Sequence, residues 1–144
     1  MQIRKIMSPD VVCCTRDSSL QEVARLMVEH DCGAIPVVNN LQEKKPIGII
    51  TDRDITCRAV AMNRNPLELT AGDCMTSPVT TVQADTALED CCDLMEKCQV
   101  RRVVIVDEND RACGIVAQAD IALHAPQRKT AHVVREVSLP VETE

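Results

Sequence analysis

The sequence predicts an α+β fold built from two β-α-β-β-α repeats packed about a pseudo-twofold axis. Three observations carry that expectation. Short motifs recur at a near-constant offset of 68 residues. Within each copy, amphipathic helical stretches alternate with short apolar runs. The length of 144 residues suits one compact domain, or two small repeats sharing one core.

Each copy opens on an extended segment, where Met7-Ser8-Pro9 is echoed by Met75-Thr76-Ser77-Pro78. Asp17-Ser18-Ser19-Leu20 then matches Asp85-Thr86-Ala87-Leu88. A helix follows, because Leu20, Val23, Ala24 and Met27 fall on Leu88, Cys91, Cys92 and Met95, both sets having the i, i+3, i+4, i+7 spacing of one face. Ser18 with Gln21, and Thr86 with Glu89, have the spacing of a capping box. Ala34-Ile35-Pro36-Val37-Val38 and Arg102-Val103-Val104-Ile105-Val106 read as buried strands. Asp107-Glu108-Asn109-Asp110 reads as a solvated turn. The next strands are Ile47-Gly48-Ile49-Ile50 and Cys113-Gly114-Ile115-Val116, with the offset shortened to 66. Asp54-Ile55 and Asp120-Ile121 lie near the start of a second helix.

The domain boundaries follow. Repeat one spans residues 1–62, a linker 63–70, repeat two 71–125, and a C-terminal helix and tail 126–144. Asn63-Arg64-Asn65-Pro66 marks the linker, since Asn-Pro disfavours helix continuation. Ala131, Val133, Val134 and Val137 predict the appended helix, and the last few residues are expected to fray.

Composition narrows the function. A net charge of −6, all of it arising in residues 69–144, argues against a nucleic-acid surface. No apolar run reaches the roughly 20 residues of a membrane span. The N-terminus lacks a signal-like stretch, so the expected address is cytoplasmic. Nine cysteines without a C-x-x-C read as small buried hydrophobes, and no metal is expected. His30, His124 and His132 form no ligand motif and read as surface residues, although His124 could lie near the second-copy site. With no Phe, Tyr or Trp, any bound planar ring must be held by aliphatic and sulfur-bearing side chains. No phosphate-loop, dinucleotide-binding or nucleophile-elbow motif occurs, so no enzyme activity is expected.

The strongest site-like stretch is Gly48-Ile49-Ile50-Thr51-Asp52-Arg53-Asp54. A strand ends there and a helix begins, and a helix start offers unpaired N–H groups to a phosphate. Asp54 can accept two hydrogen bonds from a ribose diol. The Thr51 hydroxyl can reach the sugar or its phosphate, and Arg53 can neutralise the phosphate charge. Equally, Thr51 can serve as an N-cap and the acids can complement the helix dipole.

In their order, the Met-Ser-Pro, Asp-Ser-Ser-Leu, Gly-Ala-Ile-Pro-Val-Val and Gly-Ile-Ile-Thr-Asp-Arg-Asp-Ile segments closely resemble the CBS-domain family. The tandem arrangement looks like a Bateman module of the small, stand-alone bacterial type, over about residues 3–125. The resemblance implies clefts that take adenosine compounds, with AMP, ADP, ATP or NAD as the expected regulatory ligand. It puts Asp54 on the ribose, Thr51 beside the sugar and phosphate, and Cys13, Cys14, Ala34, Ile35 and Pro36 around the adenine.

The second copy departs from this pattern. Ala117 replaces the threonine and no arginine precedes Asp120. Thr81, Arg101, Arg102, Val103, Gln118 and Asp120 would form a weaker or differently selective site. By the same resemblance the chain is expected to be a homodimer acting on a regulated protein. The rival expectation is a ligand-free dimerisation or protein-interaction module, with the helix at 126–137 docking a partner.

Overall fold

The computed structural model of the chain describes residues 1–140; the expected fraying at the extreme C-terminus falls largely on residues 141–144, outside those described. Helices and strands are mixed throughout, as an α+β fold requires. Contacts divide the chain into two compact units that do not follow the order of the sequence. One comprises Met1–Asp10, Thr80–Asn109 and Cys113–Glu144, and the other Val11–Val79 with Asp110–Ala112.

The second of these units holds a sheet of β2 (Cys14–Thr15), β3 (Ala34–Val38) and β4 (Pro46–Thr51) in that order. β2 runs parallel to β3, and β3 antiparallel to β4. Helix α1 (Leu20–His30) lays Leu20 and Val23 into a core with Cys14, Ile35, Val37 and Ile50. Its N-cap is Ser19, whose hydroxyl accepts the Glu22 N–H at 3.1 Å. This corrects the expected cap at Ser18, whose hydroxyl instead accepts the Thr15 N–H at 3.1 Å and closes the turn that precedes the helix. β4 leads into α2 (Asp52–Ile55), which continues as a wider π-helical turn over Thr56–Val60. A further short helix, α3 (Ala71–Cys74), was not anticipated from the apolar pattern. One turn of helix is too short to show a periodicity.

The other unit holds β5 (Thr81–Gln83), β6 (Arg102–Val106), β7 (Ala112–Ala117) and β1 (Ser8–Pro9), ordered β1-β7-β6-β5. Helix α4 (Leu88–Cys98) buries Leu88, Cys91, Cys92 and Met95, the face expected from its spacing. Its N-cap position is Ala87 rather than Thr86, so no side chain caps it. Helices α5 (Gln118–His124) and α6 (Gln127–Ser138) complete the unit. Of the apolar residues that predicted α6, Val133 and Val137 are buried, whereas Ala131 and Val134 are exposed.

The lead-in segments are exchanged between the two copies of the repeat. In one unit Leu20 N–H donates to Leu69 O at 3.0 Å, Ala71 N–H to Ser18 O at 2.8 Å and Gly72 N–H to Arg16 O at 2.9 Å. The corresponding bonds in the other are Leu88 N–H to Met1 O at 2.8 Å, Ile3 N–H to Thr86 O at 2.8 Å and Arg4 N–H to Ala84 O at 3.2 Å. Each segment continues onto a glycine strand. Thr76 bridges Ile49, and β1 pairs antiparallel with β7 through Ser8 with Ile115 and Pro9 with Gly114. Glycine gives the close approach its room at both crossings. A Cβ at Gly48 would lie 2.8 Å from the Thr76 carbonyl oxygen, and one at Gly114 would lie 2.5 Å from the Met7 sulfur.

Candidate functional site

The site builds from the β4–α2 junction. Ala34 is paired with Thr51 across β3 and β4, and Ile35 with Ile50. Directly paired side chains share a sheet face and successive ones alternate, so Ala34 and Thr51 lie on one face while Ile35 and Ile50 enter the core on the other. Pro36 follows Ala34 on the first face. Cys14 is paired with Val37 and belongs to the core, 3 % exposed, whereas Cys13 is half-buried. Among the expected adenine-flanking residues, Ala34 and Pro36 thus share a face with Thr51. Cys14 and Ile35 form the backing layer behind them.

Thr51 caps α2 and Asp54 answers it. The Thr51 hydroxyl accepts the Asp54 N–H at 3.0 Å, and Asp54 Oδ2 accepts the Thr51 N–H at 3.0 Å. This capping box locks the carboxylate's rotamer. Its second oxygen, Oδ1, accepts from the Thr76 hydroxyl at 3.4 Å and lies 3.9 Å from Arg58 Nη1. An ionised carboxylate has about four acceptor positions, so these contacts leave capacity for a diol.

The helix start does not offer the free N–H groups expected for a phosphate. Asp52 N–H donates to Gly33 O at 3.0 Å and Arg53 N–H to Asp52 Oδ1 at 2.8 Å, and Thr51 takes the next. The Arg53 side chain beside this helix start is exposed.

Two neighbours escaped sequence reasoning. Arg58 Nη1 donates to Cys74 O at 3.0 Å and Met75 O at 2.8 Å, tying the end of α3 to the Asp54 region. Thr76 lies beside Asp54 because of the exchanged lead-in. The Met-Ser-Pro echo marked its segment, but a repeat does not tell which copy a segment pairs with. Burial raises the Cys13 thiol and pushes that of Cys14 up to about 12.

The second copy keeps half of this arrangement. Asp120 Oδ2 accepts the Ala117 N–H at 2.8 Å, but alanine has no hydroxyl to receive the Asp120 N–H. Gln118 N–H donates to Arg101 O at 3.0 Å. Gln118 Oε1 is the one buried side-chain polar atom without a partner among the described residues. Thr81 is paired with Val104 and exposed, Arg102 is half-buried, and Val103 lies in the core. His124 is exposed at the end of α5 and lines a groove with α6. Among the described residues no group of three or more His, Cys, Asp or Glu side chains could hold a metal ion. No described helix is long and apolar enough to cross a membrane.

Comparison with known proteins gives these features a setting. The family profile of the CBS domain matches residues 3–61 and 71–126. Hypoxic response protein 1 of Mycobacterium tuberculosis is 34% identical over 138 residues, covering 96% of this chain and 94% of that protein. A crystal structure of Hypoxic Response Protein I with two coordinated zinc ions superposes with a TM-score of 0.75 at 35% identity, over 88% of this chain and 100% of that one. The CBS domain pair of protein MJ0100, solved with 5-methylthioadenosine and S-adenosyl-L-methionine, superposes with a TM-score of 0.75 at 28% identity, over 85% of this chain and 98% of that one.

Proposed function

The chain belongs to the CBS-domain family, matched twice in tandem along it, and on that premise we propose that it is a non-catalytic regulatory module whose ligand is an adenosine compound. The observation that carries this reading is the Asp54 carboxylate. It is held by Thr51 in one orientation, with its second oxygen beside the Thr76 hydroxyl. That geometry suits the two hydroxyls of a ribose. Ala34 and Pro36 supply an aliphatic wall on the Thr51 face, which suits a purine in a protein without aromatic rings. Arg53 supplies a charge for phosphate, so AMP, ADP, ATP and NAD are the first ligands to test. 5-Methylthioadenosine and S-adenosyl-L-methionine, the ligands of the MJ0100 pair, are the next.

Binding regulates only through differential affinity for two states of the protein, which a homodimer or a regulated partner protein would read out. A dye-based thermal-shift panel of the six compounds tests the reading, since the chain has no tryptophan to report unfolding. A specific ligand at 100 times its dissociation constant stabilises by about 2.7 kcal/mol.

The missing hydroxyl at Ala117 favours a second reading for the other copy, an assembly element that binds no nucleotide. A panel without any shift extends that reading to the whole chain.

A further inference from the structure

Beyond the residues matched by the family, α6 forms one wall of a groove of about 1240 Å³, open to solvent and lined also by Met1, the start of α4 and the end of α5. Its apolar lining comes from Met1, Ala87, Leu88, Ala125, Pro126 and Ala131. Its charged lining is one-sided. Arg128, Lys129 and Arg135 line it, with the imidazoles of His124 and His132 beside them, against Glu89 alone. Residues 124–135 contain three fixed positive charges and no acid, in a chain whose net charge is −6.

Part of this charge is neutralised within the unit. Lys129 Nζ lies 2.7 Å from Asp93 and 3.6 Å from Glu96, and His132 Nδ1 lies 2.8 Å from Glu96. These pairs fasten α6 to α4. Arg128 and Arg135 remain, both exposed and about two turns apart on α6. The groove exceeds the roughly 300–1,000 Å³ of small-molecule sites, and its elongated helix wall suits a helical segment laid in a groove.

We propose that this groove docks an acidic amphipathic segment of a partner protein, its apolar face on Ala87, Ala125 and Ala131 and its carboxylates on Arg128 and Arg135. The proposal is independent of the adenosine site, since none of its residues is near Asp54 in sequence or belongs to that residue's unit.

The test is fluorescence anisotropy with a fluorescein-labelled 14-residue Leu/Glu amphipathic peptide, and with the same peptide carrying Lys for Glu. The full chain is used in wild-type form and as R128E/R135E. Both substitutions are on exposed side chains, so the fold is retained, and thermal unfolding confirms it. Saturable binding of the acidic peptide, at least tenfold weaker in R128E/R135E and in 0.5 M salt, with no binding of the lysine peptide, is the expected result. Ala131→Glu, which alters the apolar wall and leaves both arginines, should weaken it also. Absence of saturable binding, or equal affinity in the charge-reversed variant, overturns the proposal. So does capture by phosphatidylglycerol vesicles in preference to the peptide, or a self-association that R128E/R135E abolishes; these would assign the groove to a lipid surface or to a second copy.

Discussion

The Thr51 hydroxyl accepts the Asp54 N–H at the same 3.0 Å distance at which Asp54 Oδ2 accepts the Thr51 N–H. One pair of residues thereby starts a helix and aims a carboxylate. Thr51→Ala removes an N-cap, which lowers stability by about 1 kcal/mol, and frees the Asp54 rotamer. Adenosine-ligand affinity should fall with it, whereas Thr51→Ser should preserve both. Urea denaturation and ligand titration on the two variants separate these effects.

Ala117→Thr rebuilds the missing half of the box in the second copy, where Asp120 Oδ2 already accepts the Ala117 N–H at 2.8 Å. The new hydroxyl gives the Asp120 N–H an acceptor, so stability should rise by about 0.5–1 kcal/mol. Unchanged or lower stability in chemical denaturation would show that the added group is not accommodated.

The exchanged lead-ins predict an order of sensitivity at the two glycines. A Cβ at Gly48 meets the Thr76 backbone carbonyl at 2.8 Å, whereas at Gly114 the closest atom is the flexible Met7 sulfur at 2.5 Å, with the Ser8 carbonyl at 3.1 Å. Gly48→Ala must therefore displace backbone, and costs about 1–3 kcal/mol as an overpacked site does. Gly114→Ala should cost less, because Met7 can turn away. Denaturation midpoints of the two variants give the comparison.

Thiol chemistry should follow burial. Cys57 and Cys98 are exposed and should react with a thiol reagent in the folded protein, while Cys14, Cys74, Cys91 and Cys92 should react only on unfolding. Burial pushes the Cys14 and Cys91 thiols up to about 12 from an ordinary 9.0. A raised folded value means that the unfolded chain loses its proton first. The stabilising contribution is complete below pH 9.0 and declines as pH rises toward 12. Unfolding midpoints measured across that window should fall, and a flat profile would contradict the burial of these thiols.

Much of the fold was legible because packing writes a period into the sequence. The faces of α1 and α4 follow from Leu20 and Val23, and from Leu88, Cys91, Cys92 and Met95, all buried. The strands at Ala34–Val38 and Arg102–Val106 follow from their apolar runs. What escaped depends on hydrogen bonds rather than burial. The α1 cap falls at Ser19 because Ser18 closes the preceding turn, a choice that two adjacent serines do not reveal, and the α4 cap falls at Ala87. The exchange of lead-ins was hidden because Met7-Ser8-Pro9 fits either glycine strand equally well. Thr76 comes to Asp54 only through that exchange, whereas Arg58 lies one turn further along the same helix. The free N–H groups expected at α2 are consumed by Gly33, Asp52 and Thr51, all within reach of so short a helix.

The most direct test is calorimetric titration of the adenosine compound that gives the largest thermal shift, into wild-type protein, Asp54→Ala and Asp73→Ala. Asp73 likewise accepts the N–H of a threonine three residues before it, Thr70, at 2.9 Å on an exposed turn, so its loss removes a comparable helix-start bond without touching Asp54. Affinity at least tenfold weaker in Asp54→Ala, with Asp73→Ala matching wild type, is the predicted result. Equal affinity in all three proteins would contradict the assignment of the ribose to Asp54.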